Sequence, residues 1–388
     1  EIKPDTWYEE SIKRLEEMPL WPENWLKHQT RDDYWKHGSV SVNYDDIQVP
    51  VFALDGYADS YTNSVCTLME GLSVPRKAII GPWAHVFQHD GMPQPAMDYL
   101  GEATKWWDKW LKGIDNDTLD CPQITVWMED SMKPETVHPI SDGRWVAVES
   151  WPSADVNDKT LHMTYGHLQD EKNEKEEIVD LCTVQNHGLF ANEWMGAGVL
   201  GESPADMRCD DGMAMTFDSD VIEEDFEIFG YPTFTVEFTA DKPNAFLYAE
   251  LCDIHPDGAA TRVSYGLMNL THLDGHEKVT YLEPGKKYKA TVTLDVCGHV
   301  FPKGHRVRLA VANSFWPMIW PSPEKVTLKL DLSTAEFTLP IFTGKDTEGP
   351  NMEAKCAPLT PMTVLKEGVV NRQITYDLLT DSWTSITD

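Results

Sequence analysis

Two short unbroken apolar runs constrain this chain more than anything else in it. Val51-Phe52-Ala53-Leu54 and Ala78-Ile79-Ile80 show no polar alternation. Each reads as a strand buried on both faces, the pattern of a parallel sheet. Between them the turn GYADSY leads into a helix near 61–72, with Val65, Leu68, Met69 and Leu72 on one face. The second run ends in GPWAH. A helix over about 95–112 follows, with Met97, Leu100, Thr104, Trp107 and Leu111 as its expected inner stripe. Pro95 suits its first turn and Gly113 its end. The unit is strand–helix–strand–helix, hence α/β. Two parallel strands and two helices cannot bury their own faces, because such strands belong to larger covered sheets. The stretch 46–115 therefore reads as the end of a sheet that began elsewhere.

The flanks differ. Tyr8, Ile12, Leu15 and Met18 recur at helical spacing, predicting a helix over 6–18 that Pro19 ends. Residues 20–45 are dense in Trp, Tyr and charge, with short helical pieces. Beyond about 122 the period falls to two. Tyr288, Ala290, Val292 and Leu294 alternate with polar neighbours, as do Val307, Leu309 and Val311, and Val326, Leu328, Leu330 and Leu332. Pro256-Asp257-Gly258 and Glu283-Pro284-Gly285 supply turns, so this part reads as a β-sandwich or jelly roll. Residues 169–180 read as a charged, solvated loop, and FWPMIWPSP as a rigid aromatic loop expected in the core.

Lys+Arg 32 against Asp+Glu 64 makes the net charge −32, which repels nucleic-acid backbones. No apolar run is long enough to span a bilayer. The cysteine count is 7, odd and without a tight pair, which argues against a disulfide scaffold or a structural zinc site. Unpaired cysteines favour a reducing compartment, hence a cytoplasmic location. Glu1-Ile2-Lys3-Pro4 has neither an initiator Met nor a signal peptide, so the start reads as following a cut. A homo-oligomer is compatible with all of this.

Asp59 lies five residues past Leu54, and His85 five past Ile80. Ligands of open α/β sheets bind outside the carboxyl ends of the strands, so the two residues are placed to touch. A carboxylate on imidazole Nδ1–H fixes the tautomer and frees the other nitrogen to take a nucleophile's proton. The bland alternative is an Asp that caps a turn and a His packed beside Trp83. The order Asp then His fits the last two members of a Ser-Asp-His series, whose serine should come earlier in Gly-x-Ser-x-Gly. Ser11, Ser39 and Ser41 lack the flanking glycines. The nearest imitation, around Ser203, lies far downstream beside Pro204. His85 and His89 stand four apart, yet nearby Gly and Pro argue against a helical metal face, and no metal is expected there.

At GYADSY and GPWAH the sequence resembles the cocaine esterase / X-Pro dipeptidyl-peptidase (CocE/NonD) hydrolases. WLKHQTRDDYWKHGSV resembles the end of that family's cap, and VPVFALDGYADSY and KAIIGPWAH its acid and histidine strands. FPKGHRVRLAVANSFWPMIWPSP and LCDIHPDGAATRVSYGLMNLTH resemble its jelly roll. The resemblance implies the end of a helical cap at 1–45, the C-terminal part of an α/β-hydrolase core at 46–121, and a jelly roll at 122–388. It implies ester or amide cleavage through a Ser-His-Asp triad without a cofactor, with Asp59 as acid and His85 as base. Tyr61 matches a position facing the acyl pocket, and Phe190 and Trp194 sit in a loop that closes the site. Tyr57 stands where many relatives have Trp, and Ser60 where they have Gly. The serine, the oxyanion donors and most of the cap are expected on an N-terminal polypeptide, the implied partner, with a small acyl ester or peptide as substrate. The rival reading is a non-catalytic pseudoenzyme whose jelly roll serves binding or assembly.

Overall fold

The computed structural model describes residues 6–191, 193–353, 363, 365–366 and 371–387. Helices α1 (Trp7–Glu17), α2 (Trp21–Lys27) and α3 (Asp33–His37) open the chain, and none of them buries a residue. The carboxylate of Asp32 caps α3 by accepting from Tyr34 N–H. Arg31 ties the segment to the rest through Glu277 at 3.2 Å.

Strand β1 (Val51–Gly56) pairs in parallel with β2 (Arg76–Gly81), with α4 (Asn63–Gly71) between them. Val65, Cys66 and Met69 of α4 are buried. β2 pairs in parallel with β3 (Ile124–Glu129), reached through α5 (Tyr99–Lys112), and β3 pairs antiparallel with β4 (Gly143–Val148). The sheet thus continues past residue 121. On its other side, β1 has no strand neighbour among the described residues.

α5 corrects the expectation in two ways. It starts at Tyr99, where the side chain of Asp98 accepts from Gly101 N–H, so Pro95 lies in the preceding loop, its carbonyl accepting from Trp83 Nε1. Its inward face is also rotated. Leu100, Trp107 and Leu111 are 43%, 53% and 75% exposed, whereas Trp106 is buried. The cause lies on the sheet. Lys77 of β2 is buried and needs a counter-charge, which Glu102 supplies at 2.9 Å. Phe52 of β1 meets Trp106 one turn further on, at 5.7 Å between rings. These two contacts set the rotation of the helix and leave the Leu100–Trp107–Leu111 stripe facing out. Gly113 does close α5, in the left-handed region at φ 70°.

The remaining strands are β5 (Val156–Thr164), β6 (His167–Gln169), β7 (Ile178–Leu181), β8 (Met215–Asp218), β9 (Phe226–Gly230), β10 (Thr233–Ala240), β11 (Phe246–Ile254), β12 (Ala260–Asn269), β13 (Lys287–Thr293), β14 (Cys297–Phe301), β15 (Arg306–Ala312), β16 (Leu328–Phe342) and β17 (Lys345–Asp346). One layer runs β13–β10–β16 with β5 and β7 on β16; the other runs β12–β11–β15–β8. Phe234, Val236, Phe238, Leu247, Leu251, Leu309, Leu330 and Phe337 fill the space between them. The expected alternation is present, while the charged stretch before 180 runs into β7. The aromatic loop splits: Phe315 is buried, but Trp320 is 78% exposed. Hairpin β18 (Arg372–Asp377) and β19 (Ser382–Thr387) forms a separate ribbon.

Phe229, Val296 and Phe342 of the β region share one core with Ala53, Val65, Ala78, Val126 and Val146. Asn63, at the start of α4, is the polar joint. Its Nδ2 donates to Asp295 at 2.7 Å, and its Oδ1 accepts from Val296 N–H at 2.8 Å.

Candidate active site

β1 and β2 end side by side, and each hands the chain to a turn at its carboxyl end. Thr62 Oγ donates back to Gly56 O, and Ala58 N–H donates to Trp83 O, so the two turns are stapled to each other. Gly56 permits that approach: a Cβ there would sit 2.0 Å from Trp83 O. Asp59 and His85 meet as a result. His85 Nδ1 donates to Asp59 Oδ2 at 2.8 Å. The other carboxylate oxygen accepts from Ser60 N–H at 2.6 Å. Asp59 is largely covered and His85 largely open, with side chains 11% and 57% exposed. His85 Nε2 has no hydrogen-bond partner among the described residues.

The imidazole opens into a groove of about 740 Å³ that runs along β1 and α5 and is lined by Asp55, Asp59, Tyr61, His85, Phe87 and Trp107 among others. Tyr61, expected at the acyl pocket, lies in this groove. Trp194 reaches Tyr61 edge-on, 6.1 Å between rings, from the loop after β7. Phe190 is in the same loop with its N–H held by Asp210, and does not line the groove. Gly196 O of that loop accepts from His85 N–H at 2.8 Å.

Asp55 was not singled out from the sequence. Burial pushes its carboxyl up to about 7, against the pull of the bond it accepts from Gly56 N–H, and the nearby charge of Asp59 adds to the rise. The only available signal was an acid at the end of an otherwise apolar strand.

A second cluster tests for a metal. Asp253, His255 and His305 offer ligand atoms within 4.8 Å of one another. They are already engaged: Asp253 accepts from Ser131, His299 and His305, and His255 Nε2 donates to Met132 O. The cluster ties the turn after β3 to the jelly roll and serves as a structural joint.

A parallel-strand wing carrying an acid–histidine pair is thus fused to a β-sandwich, an α/β layer followed by a β-rich domain. The model of the "X-Pro dipeptidyl-peptidase C-terminal non-catalytic domain" matches residues 116–355. That of the "X-Pro dipeptidyl-peptidase (S15 family)" matches residues 4–87. The chain belongs to this X-Pro dipeptidyl-peptidase family. It is 21% identical to the cocaine esterase of Rhodococcus sp. over 334 residues, 79% of this chain and 57% of that protein. It shares its fold with a CocE/NonD family hydrolase from Staphylococcus aureus, at TM-score 0.66 and 13% identity, covering 84% of this chain and 59% of that one. An α-amino acid ester hydrolase superposes at TM-score 0.64 and 18% identity, covering 84% and 61%. The chain spans about half the length of the curated relatives it matches along most of its own length. No helix among the described residues is long and apolar enough to cross a membrane.

Proposed function

We propose that this chain is the C-terminal part of a serine hydrolase that cleaves an ester or amide, with the nucleophilic serine supplied by an N-terminal polypeptide. The observation that carries the reading is the 2.8 Å bond from His85 Nδ1 to Asp59, with Nε2 open to a groove. Asp59 fixes the tautomer and stabilises imidazolium. His85 takes the serine proton through Nε2 as the serine attacks the acyl carbon, then returns it to the leaving alcohol or amine. Water, deprotonated by the same nitrogen, releases the acid. Tyr61 and Trp194 form one wall for the acyl group. The free edge of β1 and the exposed Leu100–Trp107–Leu111 stripe, both beside the groove, are the surface the N-terminal polypeptide covers. Without it the chain lacks nucleophile and oxyanion donors, and hydrolysis by the chain alone is expected to be negligible. The substrate class is a small acyl ester or an aminoacyl amide, in keeping with the names of the relatives.

A fluorophosphonate probe tests this. Mixed with a polypeptide carrying Gly-x-Ser-x-Gly, the expected label lies on that partner's serine and is lost with His85→Ala. Labelling of Ser203 in this chain, or labelling that survives His85→Ala, overturns the reading.

A further inference from the structure

We propose that the C-terminal hairpin β18–β19 is a clamp that holds the Trp194 loop against the Asp59–His85 turns, with Arg372 as its positioning residue. The inference rests on the hydrolase reading only for what the clamped loop is used for. The hairpin lies beyond residue 355, where the match to the family's C-terminal domain ends. Its side-chain hydrogen bond to the rest of the described residues falls on the Trp194 loop.

Three observations place it there. Arg372 Nη1 donates to Glu193 Oε1 at 2.6 Å, next to Trp194 in sequence. The Arg372 side chain lies flat on Gly201, where a Cβ would come within 2.7 Å of its Cδ, and its Nε is shut off from solvent. Further along the ribbon, Trp383 and Ser385 line an open cavity of about 330 Å³ together with Trp316, Trp320 and Leu189, the last of these in the same loop. Tyr376 stacks on Trp383 across the hairpin at 4.5 Å, stiffening the ribbon.

The clamped loop leads straight to the pair. Glu193 N–H donates to Glu202 O at 3.2 Å, closing the loop on itself. Glu202 Oε2 accepts from Ala197 and Val199 N–H, shaping its tip. From that tip Gly196 O accepts from His85 N–H at 2.8 Å, and Trp194 meets Tyr61. Glu193, Trp194, Gly196 and Gly198 line a small cavity whose other wall is Asp59, Ser60 and Ala84. A backbone path of few bonds thus joins Arg372 to His85. Loops with few buried apolar contacts open at low free energy unless something outside holds them. Thr136 O holds the base of this one by accepting from Gly201 and Ser203 N–H, and the hairpin holds the Glu193 side.

Hydrogen exchange on the full chain tests the clamp without needing activity. Arg372→Glu replaces attraction by repulsion and is expected to speed exchange of the 193–203 amides and of His85 N–H roughly fivefold. The jelly-roll strands β10, β11 and β16 are expected to stay unchanged. The swapped pair Arg372→Glu with Glu193→Arg restores protection, and Arg372→Lys keeps most of it. Trp383→Ala, which removes the ring stacked on Tyr376, is expected to soften the hairpin and loosen the same loop. In the enzyme completed by its N-terminal polypeptide, Arg372→Glu raises KM severalfold with little change in kcat, because the loop is a wall and the Asp59–His85 bond survives. Unchanged loop exchange in Arg372→Glu overturns the clamp. Loosening that the swapped pair does not reverse overturns Arg372–Glu193 as its basis. Failure of the hydrolase reading shows separately, as absent fluorophosphonate labelling beside an intact exchange effect.

Discussion

The jelly roll and the parallel wing handle apolar surface in opposite ways. In the jelly roll, β10 and β16 face β11 and β15, and Phe234, Phe238, Leu309 and Phe337 are essentially inaccessible. The wing buries one side of β1 and β2 on α4, but among the described residues it leaves β1 an unpaired edge and α5 an exposed stripe of Leu100, Trp107 and Leu111. Free strand edges and contiguous apolar stripes invite a partner. The contrast teaches that one region closes on itself, whereas the other leaves apolar surface and a strand edge open among the described residues. The candidate pair sits on the open side.

The largest effect should come from breaking the region that closes on itself. Phe337→Ala leaves a cavity in the sandwich and is expected to cost about 3–5 kcal/mol in denaturant unfolding. A small loss would mean that the sandwich is not the stable unit. Next comes the joint. Asn63→Ala removes the bonds to Asp295 and Val296 N–H and leaves both partners unsatisfied, for an expected loss of about 1–3 kcal/mol. The wing should then exchange faster than the sandwich; equal exchange would mean the two regions unfold as one.

A smaller effect concerns Asp55. Its carboxyl is raised to about 7 in the fold, above its unfolded value of 3.8. The stability linked to holding that proton is complete below about pH 4 and is lost as pH rises through about 7. Asp55→Asn should therefore be neutral near pH 4 and stabilising near pH 8, by about 1 kcal/mol after screening through its open side. A gain independent of pH would show that Asp55 does not retain its proton. The smallest effect is at the stripe. Leu111→Lys should leave the stability of the chain within about 0.5 kcal/mol. It should nevertheless weaken capture of an N-terminal polypeptide in a binding titration; unchanged capture would place the partner elsewhere.

Much of this was legible in the residues. The runs at 51–54 and 78–80 mark β1 and β2 because burial on both faces leaves no polar alternation, and strands with one wet face, such as β13, show period two. Asp59 and His85 could be paired because each follows the end of an apolar run, Leu54 and Ile80, by the same interval. The rotation of α5 was not legible, since it depends on Lys77 demanding Glu102, a contact between residues 25 apart. Asp55 was hidden because its environment arises only when the turn after β1 folds back. The hairpin was equally hidden, as Arg372 meets Glu193 across 179 residues.

The central claim is that the wing is one half of a hydrolase site. Its most direct measurement is ester hydrolysis by this chain mixed with a polypeptide bearing the missing strands and serine. The account predicts turnover in the mixture, none from this chain alone, and loss of turnover with either His85→Ala or Asp59→Ala. Undiminished turnover in the His85→Ala mixture would contradict it.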